Sequence, residues 1–314
     1  MFALAAVAAT SAFAQSTVTM YGVVDAGITK GATTTTFTGG GINATPRLGF
    51  KGEEDLGGGL KAVFQVETGL NSGKEAASSI GDRGAFVGLT GAFGTVTMGS
   101  SVLTPSFYAR AATDPSTTNN YSIVKYAGAA RLDNSINYTS PVWNGLTVRA
   151  SMVQKNDNTA NSASKGANDI SAVYANGPLT LAASASNSGY DKGNFVGAAY
   201  DLGMVKLFAN SVKVAGTAAV AYVASNIADD TTANTAGSED VAATASAKYT
   251  SYGVSAPFGA WTLQADMRTK KGAADDTYVL SAQYALSKRT SFTAYTAKTE
   301  GAKAALGAGV RHNF

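Results

Sequence analysis

Apolar and polar side chains alternate at every second residue in segment after segment of this chain, and that period constrains its fold more than any other feature. Leu60, Ala62, Phe64 and Val66 alternate with Lys61, Val63, Gln65 and Glu67; far downstream, Trp261, Leu263, Ala265 and Met267 alternate with Thr262, Gln264, Asp266 and Arg268. Successive side chains of a strand point to opposite faces, so each such segment reads as a strand with one apolar and one polar face. The pattern begins near Thr17 and recurs to the last residue, Phe314. A soluble sandwich would alternate in the same way with its apolar faces inside. The number of strands and the destination of the polar faces separate the two architectures.

Sixteen candidate strands are predicted, at 17–29, 45–54, 60–69, 83–90, 94–100, 131–140, 145–154, 167–176, 178–187, 193–202, 204–214, 243–256, 261–270, 275–286, 290–299 and 304–314. Short connections rich in Gly and Asn, such as Asp55-Leu56-Gly57-Gly58-Gly59, Asn144-Gly145 and Asn176-Gly177-Pro178, read as tight turns. Long connections, at 30–44, 101–130, 155–166 and 215–242, are rich in Thr, Ser, Asn and Ala. Short and long alternate along the chain. That rhythm is expected of an up-and-down barrel with turns at one end and loops at the other, and not of a Greek-key sandwich. The predicted fold is therefore all-β, a sixteen-stranded antiparallel transmembrane β-barrel. A barrel this wide encloses water, so its apolar face meets lipid and its polar face lines a channel. Tyr21, Tyr138, Trp143, Tyr200, Tyr249, Trp261, Tyr278, Tyr284 and Phe314 fall near predicted strand ends, where membrane interfaces favour amphipathic rings.

Composition agrees with this reading. Charged residues make up 14% of the 314, against roughly 25% in soluble domains. Mean hydropathy is only +0.01, and no run approaches the ~20 apolar residues of a transmembrane helix. The absence of cysteine excludes disulfides and thiolate metal sites, and a dispersed net charge of +3 gives no footprint for nucleic acid. Residues 1–14 (MFALAAVAATSAFA) carry no charge and end in Ala12-Phe13-Ala14, a signal-peptidase pattern. Cleavage is expected between Ala14 and Gln15, with a truncated basic n-region and 15–314 as the barrel domain.

Several stretches resemble the trimeric general porins of beta-proteobacterial outer membranes. They are Ser16-Thr17-Val18-Thr19-Met20-Tyr21-Gly22-Val23-Val24-Asp25-Ala26-Gly27, the run from Arg47 to Ala62 (RLGFKGEEDLGGGLKA), Ala85-Phe86-Val87-Gly88-Leu89, Phe93-Gly94-Thr95-Val96, the run from Arg131 to Tyr138 (RLDNSINY) and Gly309-Val310-Arg311-His312-Asn313-Phe314. The likeness runs in order from one end of the chain to the other. It implies three barrels per assembly and a third long loop, here Ser101 to Ala130, folded inward to narrow the pore. It also implies that Phe314 is the terminal aromatic read by the barrel assembly machinery. The implied partners are outer-membrane lipid, lipopolysaccharide and small hydrophilic or anionic solutes, with no cofactor.

Members of that family that favour anions line the constriction with arginines, and Arg47, Arg83 and Arg131 match the pattern. Arg47 shares a face with Lys51 and Glu53, and Arg131 with Asp133, while Leu48, Phe50, Leu132 and Ile136 take the opposite face. Arg83 shares parity with Ala85, Val87 and Leu89, so a lumenal position requires a bulge or a place at the strand start. Asp114 is the one acid of the inward loop. Lys61, Glu67, Arg149, Lys206, Asp266 and Arg268 are further charged residues expected along the lumen. Lipid exposure of an Arg near the midplane costs about 2–4 kcal/mol, which drives such residues inward. The arginines could alternatively serve only to pair with Glu53, Asp133 or Asp25. Where the family carries an arginine after the fifth strand, this chain has Met98-Gly99-Ser100-Ser101, so the expected anion preference is mild.

Catalytic readings find little support. His312 is the single histidine and shares parity with Val310 and Phe314, on the lipid side. Ser162 and Lys165 have serine–lysine spacing but sit in a Ser/Asn-rich loop, and Gly57-Gly58-Gly59 lacks the Gly-Lys-Ser/Thr of a phosphate loop. The expected function is passive diffusion. The alternatives are a barrel adhesin or enzyme acting through its loops, and a porin specific for one anionic solute class.

Overall fold

A closed ring of antiparallel strands follows from the alternation once every segment finds a partner on both sides. The computed structural model describes residues 17–31, 33–70, 79–114, 116, 130–154, 166–187, 192–215, 246–272 and 276–314. In chain order the elements begin β1 (Thr17–Lys30), β2 (Thr35–Thr38), β3 (Arg47–Gly57), β4 (Leu60–Gly69), β5 (Gly84–Gly91), β6 (Gly94–Ser100) and β7 (Val102–Leu103). Helix α1 (Pro105–Thr113) follows, then β8 (Arg131–Leu132), β9 (Ser135–Thr139), β10 (Leu146–Val153), β11 (Ala167–Asn176), β12 (Leu179–Asn187) and β13 (Lys192–Asp201). The last six are β14 (Lys206–Val214), β15 (Ala247–Phe258), β16 (Trp261–Lys270), β17 (Thr277–Ala285), β18 (Thr290–Thr299) and β19 (Ala305–Asn313).

Sixteen of these strands form the wall; β2 folds back on β1, and β7 and β8 make a separate two-stranded ribbon. Wall strands adjacent in sequence are hydrogen-bonded neighbours, and β1 meets β19 from Val23↔Asn313 to Lys30↔Leu306. Closure leaves no free edge in the ring. Tight turns close one end. Gly57, Gly58 and Gly59 take φ of +86°, +62° and +80°, values strained for any other residue.

One strand expectation is corrected. The stretch 131–140 is not continuous: Arg131 and Leu132 pair with Leu103 and Val102, Asn134 turns at φ +50°, and β9 begins only at Ser135. Leu132 is buried against Val153 and Ala167 rather than facing lipid.

Outward positions are apolar and bare: Val18 is 64% exposed, Val196 59% and Leu280 57%. Water would penalise such a surface by about 25 cal/mol per Å², whereas lipid does not. Phe93, Trp143, Tyr200, Phe258, Trp261, Phe292 and Phe314 are exposed close to the tight turns, and Trp261 packs on Tyr284 with ring centroids 4.7 Å apart. They form an aromatic belt at that end. Tyr21 and Tyr249 do not join it. Tyr21 points inward to Glu67, and Tyr249 packs against the inner cluster beneath α1.

Candidate functional site

Glu67 sits near the loop end of β4 on the inward parity, and the site grows around it. Arg47 opens β3 opposite Gly69, two residues along β4 on the same inward face, which brings its guanidinium Nε to 3.7 Å from Glu67 Oε2. Arg83 occupies the turn ahead of β5, not the strand itself. Its backbone N–H donates to the Glu67 carbonyl, Gly84 beside it takes φ +154°, and its Nε donates to Glu67 Oε1 at 2.9 Å. The parity difficulty disappears because alternation applies only from Gly84 onward; Val87 and Leu89 face outward as their parity requires. Arg131, carried by the β7–β8 ribbon, brings Nη2 to 3.6 Å from Glu67 Oε1. The Tyr21 hydroxyl donates to Glu67 Oε2 at 2.9 Å.

Three guanidinium groups therefore share one carboxylate. Their partner is Glu67, not Glu53, Asp133 or Asp25. At the centre of the cluster one negative charge faces three positive ones, with Asp82 and Asp133 as the flanking acids. Arg311 stands nearby on the inward face of β19, in register with Asp25, whose carboxylate offsets its charge.

The serine pair at the end of β6, Ser100 and Ser101, has a supporting role. Ser100 Oγ, Ser101 Oγ and Ser101 N all donate to Asp133 Oδ1 at 3.0, 3.0 and 2.8 Å. Arg131 Nη1 in turn donates to the Ser101 carbonyl at 2.8 Å. Asp133 thus braces the ribbon that presents Arg131.

Helix α1 begins at Thr104, whose Oγ1 accepts from Phe107 N, and at Pro105, whose fixed φ suits the first turn. It lies against the inner faces of β10 to β14. Ala109 is buried with Ala182, Phe195 and Val212. Polar bonds fasten both ends. Ser106 N and Oγ donate to Asp169 Oδ1, each at 2.8 Å, and Thr113 Oγ1 donates to Asn210 Oδ1 at 2.6 Å. The described part of the third loop is thus inside the barrel; Lys125 and the rest of 117–129 lie outside the described residues.

The other expected lumenal residues are dispersed. Arg149 stacks over the Tyr108 ring of α1 at 4.5 Å, and Lys206 approaches Phe208 at 5.9 Å. Lys51 lies 5.4 Å from the centre of the Tyr21 ring. Lys61 and Glu53 form an exposed ion pair of 2.7 Å at the turn end. Asp266 and Arg268 face inward on β16, and Asp114, just past α1, lies within electrostatic reach of Asp266. Phe314 exchanges two backbone hydrogen bonds of 3.1 Å with Gly22. His312 is exposed on the outer face and shares a 2.8 Å hydrogen bond with Thr290 Oγ1. Ala14 and Gln15, and the Ser162–Lys165 pair, lie outside the described residues. Among the described residues no group of three His, Cys, Asp or Glu side chains could hold a metal.

Sequence reasoning missed Arg311, although the parity that placed His312 outward places Arg311 inward. It also missed Tyr21 as a ligand of Glu67, having assigned it to the interface.

Known proteins resemble this chain in both sequence and fold. The major outer membrane protein P.IB of Neisseria gonorrhoeae is 32% identical over 162 residues, 47% of this chain and 46% of that protein, so the match spans about half of the relative's length. An anion-selective porin from Comamonas acidovorans superposes with a TM-score of 0.71 at 24% identity, over 96% of this chain and all of the other. An outer membrane protein of Vibrio cholerae, solved in trimer form, gives 0.68 at 14% identity, over 95% and 99% of the two chains. Residues 2–304 match the Gram-negative porin family over nearly the whole sequence, and the chain belongs to that family.

Proposed function

We propose that the protein is a general diffusion porin of a Gram-negative outer membrane, a passive water-filled channel for ions and small hydrophilic solutes with a mild preference for anions. The observation that carries the reading is the convergence of Arg47, Arg83 and Arg131 on one shared carboxylate inside the barrel. In a wet passage between low-dielectric walls, such an excess of fixed positive charge concentrates anions. The narrow section lies where this arginine wall faces the space beside α1, with Asp114, Asp266 and Arg268 across the lumen. The channel has no catalytic step and no cofactor, and it works as a homotrimer, as the Vibrio cholerae protein was solved. Ala14-Gln15 is the signal cleavage site, and Phe314 is the mark by which the assembly machinery receives the barrel in a membrane of lipid and lipopolysaccharide.

Planar-bilayer recordings of the purified protein across a KCl gradient test the reading. Conductance steps in threes with a zero-current potential favouring chloride are expected. A potential favouring potassium removes the arginine filter from the account, and a folded protein without conductance removes the channel. Competition by one solute class at micromolar concentration would favour a solute-specific porin over a general one.

A further inference from the structure

A second segment enters the lumen, from the first loop. Gly39 to Pro46 connects β2 to β3, and its middle bends inward onto the wall formed by β17, β18, β19 and β1. The Asp25 carboxylate, fully buried on β1, accepts three consecutive backbone N–H groups: Ile42 at 2.7 Å, Asn43 at 3.0 Å and Ala44 at 2.9 Å. The Ile42 side chain is 1% exposed and packs with Val279, Tyr295 and Ala297, all on inward faces. Its socket exists because two wall residues lack side chains. A Cβ on Gly27 or on Gly309 would lie 2.7 Å from Ile42 Cγ1. Asn43 Nδ2 adds a 2.7 Å bond to Thr293 Oγ1 across the same wall.

This bend sits at the height of the arginines. Arg47 pairs with Val23, two residues from Asp25, and Arg47 Nη1 donates to the Thr45 carbonyl at 3.2 Å. Around the ring, α1 covers the inner faces of β10 to β14 and the bend covers those of β17 to β1. Among the described residues, nothing covers the arginine arc or the β15–β16 arc of Asp266 and Arg268. An apolar side chain buried in a polar lumen, pinned by a carboxylate that spends its acceptors on one loop, is a built obstruction.

We propose that the Gly39–Pro46 bend is a second inward constriction of this channel, and that Asp25 and Ile42 are positioning residues that set the width of the passage opposite α1. The inference rests on the channel reading, and wild-type conductance measured alongside tests that reading separately. Asp25→Ala releases the three N–H groups, so single-channel conductance is expected to rise by roughly 1.5-fold or more, with larger neutral polymers admitted. The chain has no cysteine, so Ile42→Cys with Val279→Cys in the same background gives a clean lock. Oxidation should return conductance to the wild-type level, which a loss of barrel stability alone would not do. Unchanged conductance in folded Asp25→Ala, or a rise that oxidation leaves in place, overturns the proposal. If Asp25→Ala does not fold, Ile42→Ser keeps both the clamp and the charge. A rise there supports the proposal, and wild-type conductance overturns it.

Discussion

Glu67 restrains three mutually repelling guanidinium groups while cancelling only part of their charge, so its replacement should act in opposite directions on two properties. Glu67→Gln removes the carboxylate charge from Arg47, Arg83 and Arg131. Anion over cation permeability is expected to rise, roughly twofold, as the wall becomes more positive. Stability is expected to fall by about 3 kcal/mol, the order seen when one partner of a buried ion pair is lost. Zero-current potentials and urea unfolding in detergent read the two effects separately. Neutralising Arg47 and Arg131 together should move the potential toward zero, and an unchanged potential would place the selectivity elsewhere. At this scale the sequence was only half legible. Alternation put Arg47 and Glu67 on inward faces but could not say that they meet, because side-chain distance across strands depends on register. Arg83 was the least legible: it precedes its strand, where alternation has no meaning. Ser100 and Ser101 stand in place of a cation that the family pattern led one to expect, and they serve instead to hold Asp133 under Arg131.

Among the elements, α1 is held to the wall by side-chain bonds near its two ends. Its wall contact is a small apolar patch around Ala109, and its ends are held by Asp169 and Asn210. Asp169→Ala removes two acceptor bonds to Ser106, about 1–3 kcal/mol of docking, whereas the wall ladder is untouched. Open-channel current noise is expected to rise while the thermal shift of the barrel on gels stays as in the wild type. Gly197 offers a steric version of the same test, since a Cβ there would collide with Thr113 Oγ1 and Asn210 Oδ1; Gly197→Val should displace the helix end and change conductance. The wall strands were legible to within a few residues because period-two alternation is a local signal. Helix α1 was not, since nine residues, Pro105–Thr113, of mixed polarity carry little periodicity, and what holds them lies about 60 to 100 residues away in sequence. The broken strand at 131–134 failed for a related reason: Arg131 and Leu132 keep the alternation but pair with the ribbon of the third loop.

For the whole molecule, closure is the decisive step, and Phe314 completes it. Its two backbone bonds to Gly22 extend the β1–β19 seam, and its ring lies over the Gly22 Cα, where a side chain would have no room. Deleting Phe314 is expected to lower folded-state stability by about 1–3 kcal/mol from the lost bonds. It should also reduce outer-membrane yield by more than that loss explains if the terminus is read during assembly. Refolding in detergent separates the first effect from the second, which appears only in cells. Alternation, the rhythm of short and long connections and an apolar–polar balance near zero hydropathy were enough by themselves to set a sixteen-strand membrane barrel, because each is written in neighbouring residues. Tertiary structure alone decided which charges meet around Glu67, that Arg83 reaches the lumen from a turn, and that Ile42 of the first loop enters the pore. Those contacts join residues brought together only by ring closure, and the energy that selects them comes from a register and a cavity that no local pattern encodes.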